Sequence, residues 1–406
     1  MNGRKMLKKL IKRQNATYAI LKDGDEEVRL VYSSTINTTN PLVKKGDLVL
    51  VGQKIGEAAQ DKDVSVYSSV SGTVKSLEES ILLNGEKVKV IVINNDKSYT
   101  KVEKTLNGNL SKKEKLDNLK ESGIIDSLTN LTINELFSNI GNNDSIIIDL
   151  SNVFEVSRYV SILENKRDSI KNAIKILKED LKINTKLYLV EGSQELFNKF
   201  NSMAAECGVE VVKGKYPYFK ASREVVINKN NFGKSEFMAL ETLIHLNDWI
   251  EKSESMISQF LTILNSKNNK SITIKAPLGS SIKYLIEKQA NIDYDIKKVI
   301  EKDMLSGKSV YNLLAPLNKI TSTLIIFGDN IQEYEENPCI KCGKCYKVCD
   351  MKLIPFKLDQ HVRKNEKDEF IKYGGKTCIE CGLCSYVCPS KRKLMESIVM
   401  MKKTSI

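Results

Sequence analysis

Two short stretches decide what the C-terminal part of this chain must be: CIKCGKCYKVCDMKLIP at 339–355 and CIECGLCSYVCPS at 378–390. Eight of the nine cysteines fall inside them. Cys339, Cys342, Cys345 and Cys349 follow C-x2-C-x2-C-x3-C, and Cys378, Cys381, Cys384 and Cys388 repeat it, with Pro389 completing the second run. A tight C-x2-C-x2-C loop can wrap three corners of a four-iron cube and aim backbone N–H groups at its sulfurs, leaving the fourth corner to a more distant thiolate. Structural zinc usually takes two separated C-x2-C pairs and gives no reason for a third and fourth cysteine in each run. Disulfides within loops this tight would be strained. The spacing predicts two [4Fe–4S] clusters.

Where two such runs share one domain, the last cysteine of each ligates the other cluster. That assigns Cys339, Cys342, Cys345 and Cys388 to one cluster and Cys378, Cys381, Cys384 and Cys349 to the second. The first run departs from the usual pattern in one respect. Cys349 is followed by Asp350 where proline is customary, so a looser turn is expected there. Lys341, Lys344, Lys347 and Lys352 crowd the first run, while Glu380 lies within the second. Nearby positive charge favours the more negative, reduced state, so the first-run cluster is expected to have the higher potential.

Composition limits the rest. At 406 residues and 41% hydrophobic, the chain can bury several cores. No apolar run approaches the ~18–20 residues needed to span a bilayer. No signal-peptide hydrophobic region follows the basic start MNGRKMLKKLIKRQ. A reducing, cytoplasmic setting is expected, where clustered cysteines bind metal rather than pair. The formal charge of +12 favours an acidic redox protein or oxidoreductase subunit as partner, or an anionic membrane face; the blander account is solubility alone. The basic residues are dispersed and no nucleic-acid motif is present, so no nucleic-acid partner is expected. Within MLKKLIKR (6–13), Met6, Leu7, Leu10 and Ile11 would share a helix face, giving a possible peripheral membrane contact against the commoner frayed terminus.

Upstream of the cysteines, residues 41–77 carry short alternating strands broken by Gly46-Asp47, Gly52, Gly56 and Ser71-Gly72, the pattern of a barrel-sandwich hybrid. Swinging-arm carriers of that shape need a lysine at a hairpin tip. The corresponding turn here is VYSSVSGTV (66–74), so a structural or docking role is expected. From 113 to 228 helix and strand alternate. SIIIDL (145–150), KLYLV (186–190) and VEVV (209–212) read as strands, and Ile170, Ala173, Ile174, Leu177 and Leu181 as a helix stripe. This predicts an α/β layer with a parallel sheet. A nucleotide would sit beyond the strand carboxyl ends on a glycine-rich loop, but the residues after SIII are DLSNVFEVS, with no glycine. Residues 236–265 are helical by pattern, and 271–327 suggest a second small α/β unit closed by TSTLIIF (321–327).

With these parts in order, the chain resembles the RnfC family, the C subunits of Rnf electron-transport complexes, and its soluble relatives, including the proline reductase-associated electron-transfer protein. The residues carrying the resemblance are PLVKKGD-x4-GQKIG (41–56), SSVSG (68–72), APLGSSIKYLIE (276–287) and the two cysteine runs. It implies a multidomain α/β protein: a basic N-terminal segment (1–32), a barrel-sandwich hybrid (33–104), an α/β domain resembling the FMN/NADH-binding domain (113–265), a β-grasp domain (271–330) and a two-cluster ferredoxin-like domain (334–400). Family members that bind FMN and take hydride from NADH use a GxGGAxFP loop and a later NGAECEP-type segment. This chain has SGIIDSLTNLT (122–132) and IDLSNVFE (148–155) instead, and KYPYFKAS (215–222) is all that survives of a third family feature. Without glycines the backbone cannot approach a phosphate or flavin closely, so the α/β domain is expected to keep its fold, lose its pocket and bind no FMN.

The remaining candidates favour plain roles. Cys207 is expected to be a small buried hydrophobe rather than a redox thiol. His245 and His361 are isolated, and Trp249 and the Tyr216–Phe219 group read as packing. The expected function is an electron-transfer subunit rather than a stand-alone enzyme, with no catalytic residue. The alternatives are a flavin-dependent NADH oxidoreductase subunit of a membrane-associated electron-transport complex and a cluster-based redox-sensing binding protein.

Overall fold

The computed structural model describes residues 15–21, 23–103, 110–141, 144–152, 155–190, 194–214, 227, 232–290, 292, 294–310, 312–328 and 334–404. The basic segment 6–13 and KYPYFKAS, with Tyr216 and Phe219, lie outside the described residues.

Two small antiparallel sheets come first. One runs Glu27–Ser33, Lys87–Asn95, Gly72–Ile81, Leu48–Val49; the other Thr39–Pro41, Lys54–Ala58, Val66–Tyr67. They share a core of Val28, Leu30, Val49, Ile55, Val66, Val70, Val74, Ile91 and Ile93. The strand Glu27–Ser33 therefore belongs to this unit, which begins earlier than residue 33. The VYSSVSGTV turn is buried: Ser68 and Ser71 are inaccessible, and the Ser69 hydroxyl donates to the Leu278 carbonyl at 2.7 Å. A hairpin tip pinned in this way cannot swing.

The second unit is a four-stranded, all-parallel sheet in the order Glu210–Gly214, Asn184–Val190, Ser145–Leu150, Ser235–Met238. A parallel sheet covered on both faces demands an unbroken apolar strand at its centre. SIIIDL supplies it, with all six residues buried. Burial of each isoleucine contributes about 1.5–3 kcal/mol. The helix Val156–Lys175 packs its Ile162, Ile170, Ala173 and Ile174 into this core beside Leu243 and Trp249 of the helix Leu240–Lys252. Trp249 is core, as its Nε1–H also donates to the Lys115 carbonyl at 3.0 Å.

The helical expectation for 236–265 holds only in part. Ser235–Met238 and Ser258–Asn265 are strands flanking the helix Leu240–Lys252. SQFLTILN carries an unbroken run of buried residues from Phe260 to its end, and a short, continuously buried run has no periodicity to distinguish strand from helix. It enters a third, six-stranded mixed sheet: Asn15–Ile20, Lys270–Pro277, Ser258–Asn265, Thr323–Phe327, Lys298–Glu301, Lys308–Val310. The helix Ile282–Gln289, capped by Ser281, covers it through Ile282, Leu285 and Ile286. The described part of residues 1–32 is thus joined to two of the sheets. Its strand Asn15–Ile20 pairs in parallel with Lys270–Pro277, and Glu27–Ser33 joins the first unit.

The C-terminal unit is helical: Lys344–Val348, Pro355–Arg363, Lys367–Lys372, Leu383–Tyr386 and Leu394–Thr404 surround Leu353, Leu358, Val362, Phe370, Ile398 and Met401. Among the described residues, no helix is long and apolar enough to cross a membrane.

Candidate metal centre

The two cysteine runs fold alike, residue by residue. In each, the residue before the second cysteine and the glycine after it are left-handed: Lys341 (φ 53°) and Gly343 (φ 71°) in the first, Glu380 (φ 57°) and Gly382 (φ 72°) in the second. Two left-handed residues so close together turn the loop's N–H groups inward. A short helix follows, Lys344–Val348 or Leu383–Tyr386, and the fourth cysteine donates its N–H back to the helix at 3.2 Å in both runs, Cys349 to Tyr346 and Cys388 to Ser385. The turns after the fourth cysteines also match. Lys352 (φ 58°) donates to the Cys349 carbonyl and Lys391 (φ 52°) to that of Cys388, both at 3.1 Å. The looser turn expected at Asp350 is not found, because this hydrogen bond, rather than a proline ring, sets the geometry.

The eight thiols divide into two groups, and the division crosses the runs. Cys339, Cys342 and Cys345 surround one small void together with Cys388. Cys378, Cys381 and Cys384 surround another together with Cys349. The crossing has identifiable causes. Asn337 donates its N–H to the Ser390 carbonyl at 2.9 Å, the Ser390 hydroxyl returns to the Pro338 carbonyl at 3.0 Å, and the Glu336 carboxylate accepts from Lys393 N–H at 2.9 Å. This clip draws Cys388 to Cys339. Beneath it Asp359, 1% exposed, pairs with both Arg392 and Arg363.

Backbone amides converge on the sulfurs: Tyr346 and Phe356 on Cys345, Met351 and Leu353 on Cys349, Glu380 on Cys378, Leu383 on Cys381 and Ser385 on Cys384. As free thiols these cysteines resist ionisation. Burial pushes Cys345, Cys349, Cys378 and Cys384 up, and Cys381 to about 12. A cation in each void would reverse that cost, and the inward amides favour negative sulfur. Among the described residues, no three Cys, His, Asp or Glu side chains converge as one metal ion would require; the arrangement is four thiols around a void.

The voids differ in surroundings. Lys341 and Arg392 are the charged residues lining the first, whereas Asp350 lines the second. Lys352, expected beside the first cluster, instead acts on Cys349 and so belongs to the second. Glu380 is held by Lys402 at 2.8 Å.

A larger cavity, of about 910 Å³, lies next to the second group, between Glu380, Met395 and Met400 and the carboxyl edge of the parallel sheet. The expected loss of the α/β pocket is thus not observed as a loss of volume. Asp149, Asn152, Glu155, Arg158, Ser127 and Glu241 line its sheet edge, and Lys298, Lys302, Lys308 and Lys403 are also in the lining. Arg158, 2% exposed, is bound to Glu241 at 2.6 Å and approaches Glu155 at 3.7 Å. SGIIDSLTNLT is organised by Asp126. Its carboxylate accepts from the N–H groups of Leu128 (3.0 Å), Thr129 (2.8 Å) and Ala239 (2.8 Å) and from the Thr129 and Thr242 hydroxyls. Asp126 therefore holds the start of the helix Leu240–Lys252 from another segment, through the N–H of its N-cap residue Ala239 and the Thr242 hydroxyl. The local turn to Leu128 and Thr129 is ordinary loop chemistry, and the link to the helix start has no sequence signal, since Ala239 and Thr242 lie over 100 residues away.

The remaining candidates have local roles. Cys207 is half-buried against the α/β core with its thiol raised by burial. His245 is buried and pushed down to about 4. His361 Nδ1 lies 2.7 Å from Glu366 and the ring stacks on Tyr373.

Comparison with known proteins matches residues 23–98 to the RnfC barrel sandwich hybrid domain and 338–392 to the 4Fe-4S dicluster domain. Over most of its length the chain is similar to C subunits of ion-translocating oxidoreductase complexes. Over 395 residues it is 27% identical to the C subunit of the ion-translocating oxidoreductase complex of Methanosarcina acetivorans, covering 88% of this chain and 87% of that one. It is 24% identical to the C subunit of the Na(+)-translocating ferredoxin:NAD(+) oxidoreductase complex of Acetobacterium woodii (90% and 88% covered). Identity is also 24% to the proton-translocating counterpart of Clostridium ljungdahlii (78% and 74%). The RnfC-like chain is therefore of mixed α/β build, with a barrel-sandwich hybrid and a C-terminal ferredoxin-like domain.

Two outcomes follow from this geometry. A Cβ at Gly343 meets nothing within 4 Å, whereas one at Gly382 would enter the Leu305 carbonyl. Gly343→Ala should cost only the left-handed penalty of about 1–2 kcal/mol. Gly382→Ala should cost more and loosen the 302–307 loop, read by thermal unfolding and by proteolysis of that loop; equal effects would contradict the packing. Separately, burial and then its carboxylate neighbours hold Asp149 up at about 7. Its folded value exceeds the unfolded one, so the folded state binds the extra proton, and stability should fall as pH rises from about 4 to about 7. Asp149→Asn should flatten that fall in denaturant titrations.

Proposed function

We propose that this RnfC-like chain is an electron-transfer subunit that relays single electrons between protein partners. It would use two [4Fe–4S] clusters, one on Cys339, Cys342, Cys345 and Cys388, the other on Cys378, Cys381, Cys384 and Cys349. The observation that carries this is the crossed grouping of eight thiols around two voids with backbone amides turned towards the sulfurs. A bound [4Fe–4S] cluster supplies one-electron redox chemistry. The chain's own groups hold it, exclude water and tune it. Burial behind Leu353, Leu383 and Ile398 keeps the second void dry, and the amides offset negative charge on the sulfurs.

We read the parallel sheet as a flavoprotein-type α/β domain that no longer serves FMN or NADH, and the six-stranded sheet as a β-grasp domain. Support comes from the cavity floor. At the sheet edge Glu155 and Glu241 face one buried guanidinium, Arg158, that is committed to both, with Asp149 beside them, while Lys298, Lys302, Lys308 and Lys403 line the rest of the cavity. A phosphate at the sheet edge would meet Glu155 and Glu241, and Asp126 already takes the N–H of Ala239 at the helix start. We read this edge as unsuited to an FMN phosphate. The cavity's volume favours the alternative of a flavin-dependent NADH oxidoreductase, because about 910 Å³ is ample for a cofactor. The relatives' names place those proteins in ion-translocating complexes, and a cytoplasmic position beside other subunits, peripheral to a membrane, fits this chain.

Anaerobic purification with iron, sulfide and flavin counted together tests this reading. About eight iron and eight sulfide per chain without flavin is expected; stoichiometric flavin, cluster bleaching by NADH, or zinc in place of sulfide would refute it. The unequal linings give a second outcome. With Lys341 and Arg392 on the first void and Asp350 on the second, redox titration monitored by electron paramagnetic resonance should find the higher potential at the first group. The reverse order would overturn that assignment.

A further inference from the structure

The two voids differ in access as well as in charge. Cys342 is exposed, and it alone among the eight clustered thiols; Cys345 and Cys384 are buried and the rest are half-buried. The loop wall of the first void, Ile340 to Gly343, faces solvent. The second void is walled off, with Gly382 pressed against Leu305 and with Met395 and Ile398 across its lining. An electron arriving from outside would therefore meet the first group of thiols first.

The surface around Cys342 has the composition of a docking site. Ile340 is 67% and Tyr346 47% exposed, among the large hydrophobics that the described chain leaves in water. Lys341, Lys344 and Lys347 stand around them, on the same exposed loop and helix start. None of the three has an ion-pair partner among the described residues, whereas Lys171, Lys186 and Lys199 of the α/β unit are all paired. Two of the three nearby carboxylates are engaged or turned away. Glu336 binds Arg363 and the Lys393 N–H, and Asp350 lines the second void; Glu335 is exposed on the approach. An apolar centre ringed by unpaired cations suits a partner with an apolar centre ringed by carboxylates.

Resting on the proposed function, we propose that Ile340, Lys341, Lys344, Tyr346 and Lys347 form the docking surface for a small acidic one-electron carrier protein, which exchanges electrons with the chain through the Cys342 side. In each encounter the reduced carrier loses one electron and the thiolate-held centre behind Cys342 gains it, with no bond made or broken. Charge steers the approach, so the rate should depend on salt. The apolar pair removes water at the point of contact.

The test uses the full cluster-loaded chain under anoxia and a reduced acidic two-cluster ferredoxin as probe, with cluster reduction followed by stopped flow. Lys344→Glu/Lys347→Glu is compared with Lys44→Glu/Lys45→Glu, which changes net charge equally on the barrel-sandwich unit; Lys341 is left in place because it lines the first void. Iron and sulfide content and the spectrum of the dithionite-reduced protein should be unchanged in both variants. The first variant should lose about tenfold or more in second-order rate at low salt and become insensitive to salt, while the second stays within about twofold of the parent. Ile340→Ala/Tyr346→Ala should slow transfer without altering the salt dependence. Equal losses in both charge variants, or none in the first, overturn the surface while leaving the cluster assignment intact. Unchanged ferredoxin rates with lost binding to phosphatidylglycerol vesicles would reassign the face to a membrane and likewise overturn it. A chain without iron and sulfide would sink both.

Discussion

The Asp359 carboxylate, almost wholly out of water, is the constraint on which the C-terminal unit depends. It lies on the helix that follows the first cysteine run and grips Arg392, which follows the second. It also holds Arg363 one helical turn further on. Removing one partner of a buried ion pair leaves an uncompensated charge, at a cost of about 3–5 kcal/mol. That penalty fixes where the end of the second run lies, and the 336–338 to 390–393 clip then sets the distance from Cys388 to Cys339. The crossed grouping of the thiols is a consequence of this packing between the runs.

The α/β unit shows the opposite use of a shared framework. A parallel sheet always presents its strand carboxyl ends and helix N-termini along one edge, and that edge attracts anions. Here the chain satisfies the edge with its own acids. Asp126 holds the start of the helix Leu240–Lys252, Glu155 receives the Thr323 hydroxyl at 2.9 Å, and Glu241 takes Arg158. Each interaction ties the parallel sheet to a neighbouring segment, so the same polar groups that would otherwise hold a ligand contribute to holding units together. The cavity that remains is large, and its polar floor is only partly satisfied, since Arg158 Nε and Glu241 Oε2 are buried there without a hydrogen-bond partner among the described residues.

What can be read from sequence follows from how local each feature is. The cysteine loops are legible because their geometry is set within seven residues, and the buried strand SIIIDL because three consecutive isoleucines suit nothing else so well. The strand Ser258–Asn265 is not legible, because its buried run lacks a period. Nor is Asn15–Ile20, whose partner lies some 250 residues away in Lys270–Pro277. Asp126 looks like an ordinary loop acid, and only the approach of Ala239 and Thr242 makes it the anchor of a helix start. The absent proline after Cys349 points to a difference between the runs that a single backbone hydrogen bond removes. Lys352 misleads for a related reason. It is next to the first run in sequence, but Cys349, its neighbour, reaches across to the second.

That exchange of fourth cysteines has a thermodynamic corollary. On the proposed ligand sets, neither run can complete a cluster by itself; each needs a thiolate delivered by the fold of the other. Deprotonating these thiols is unfavourable in the folded, metal-free chain, since burial raises Cys378, Cys381 and Cys384 alike. On that proposal iron binding would supply both the charge that ionises the thiols and part of the free energy that keeps the runs crossed, so that cluster assembly and folding of residues 334–404 would be one linked equilibrium. Linkage of this kind would couple the two centres through the fold, because a Cys388 released from the first group would no longer reinforce the contact of residues 336–338 with 390–393.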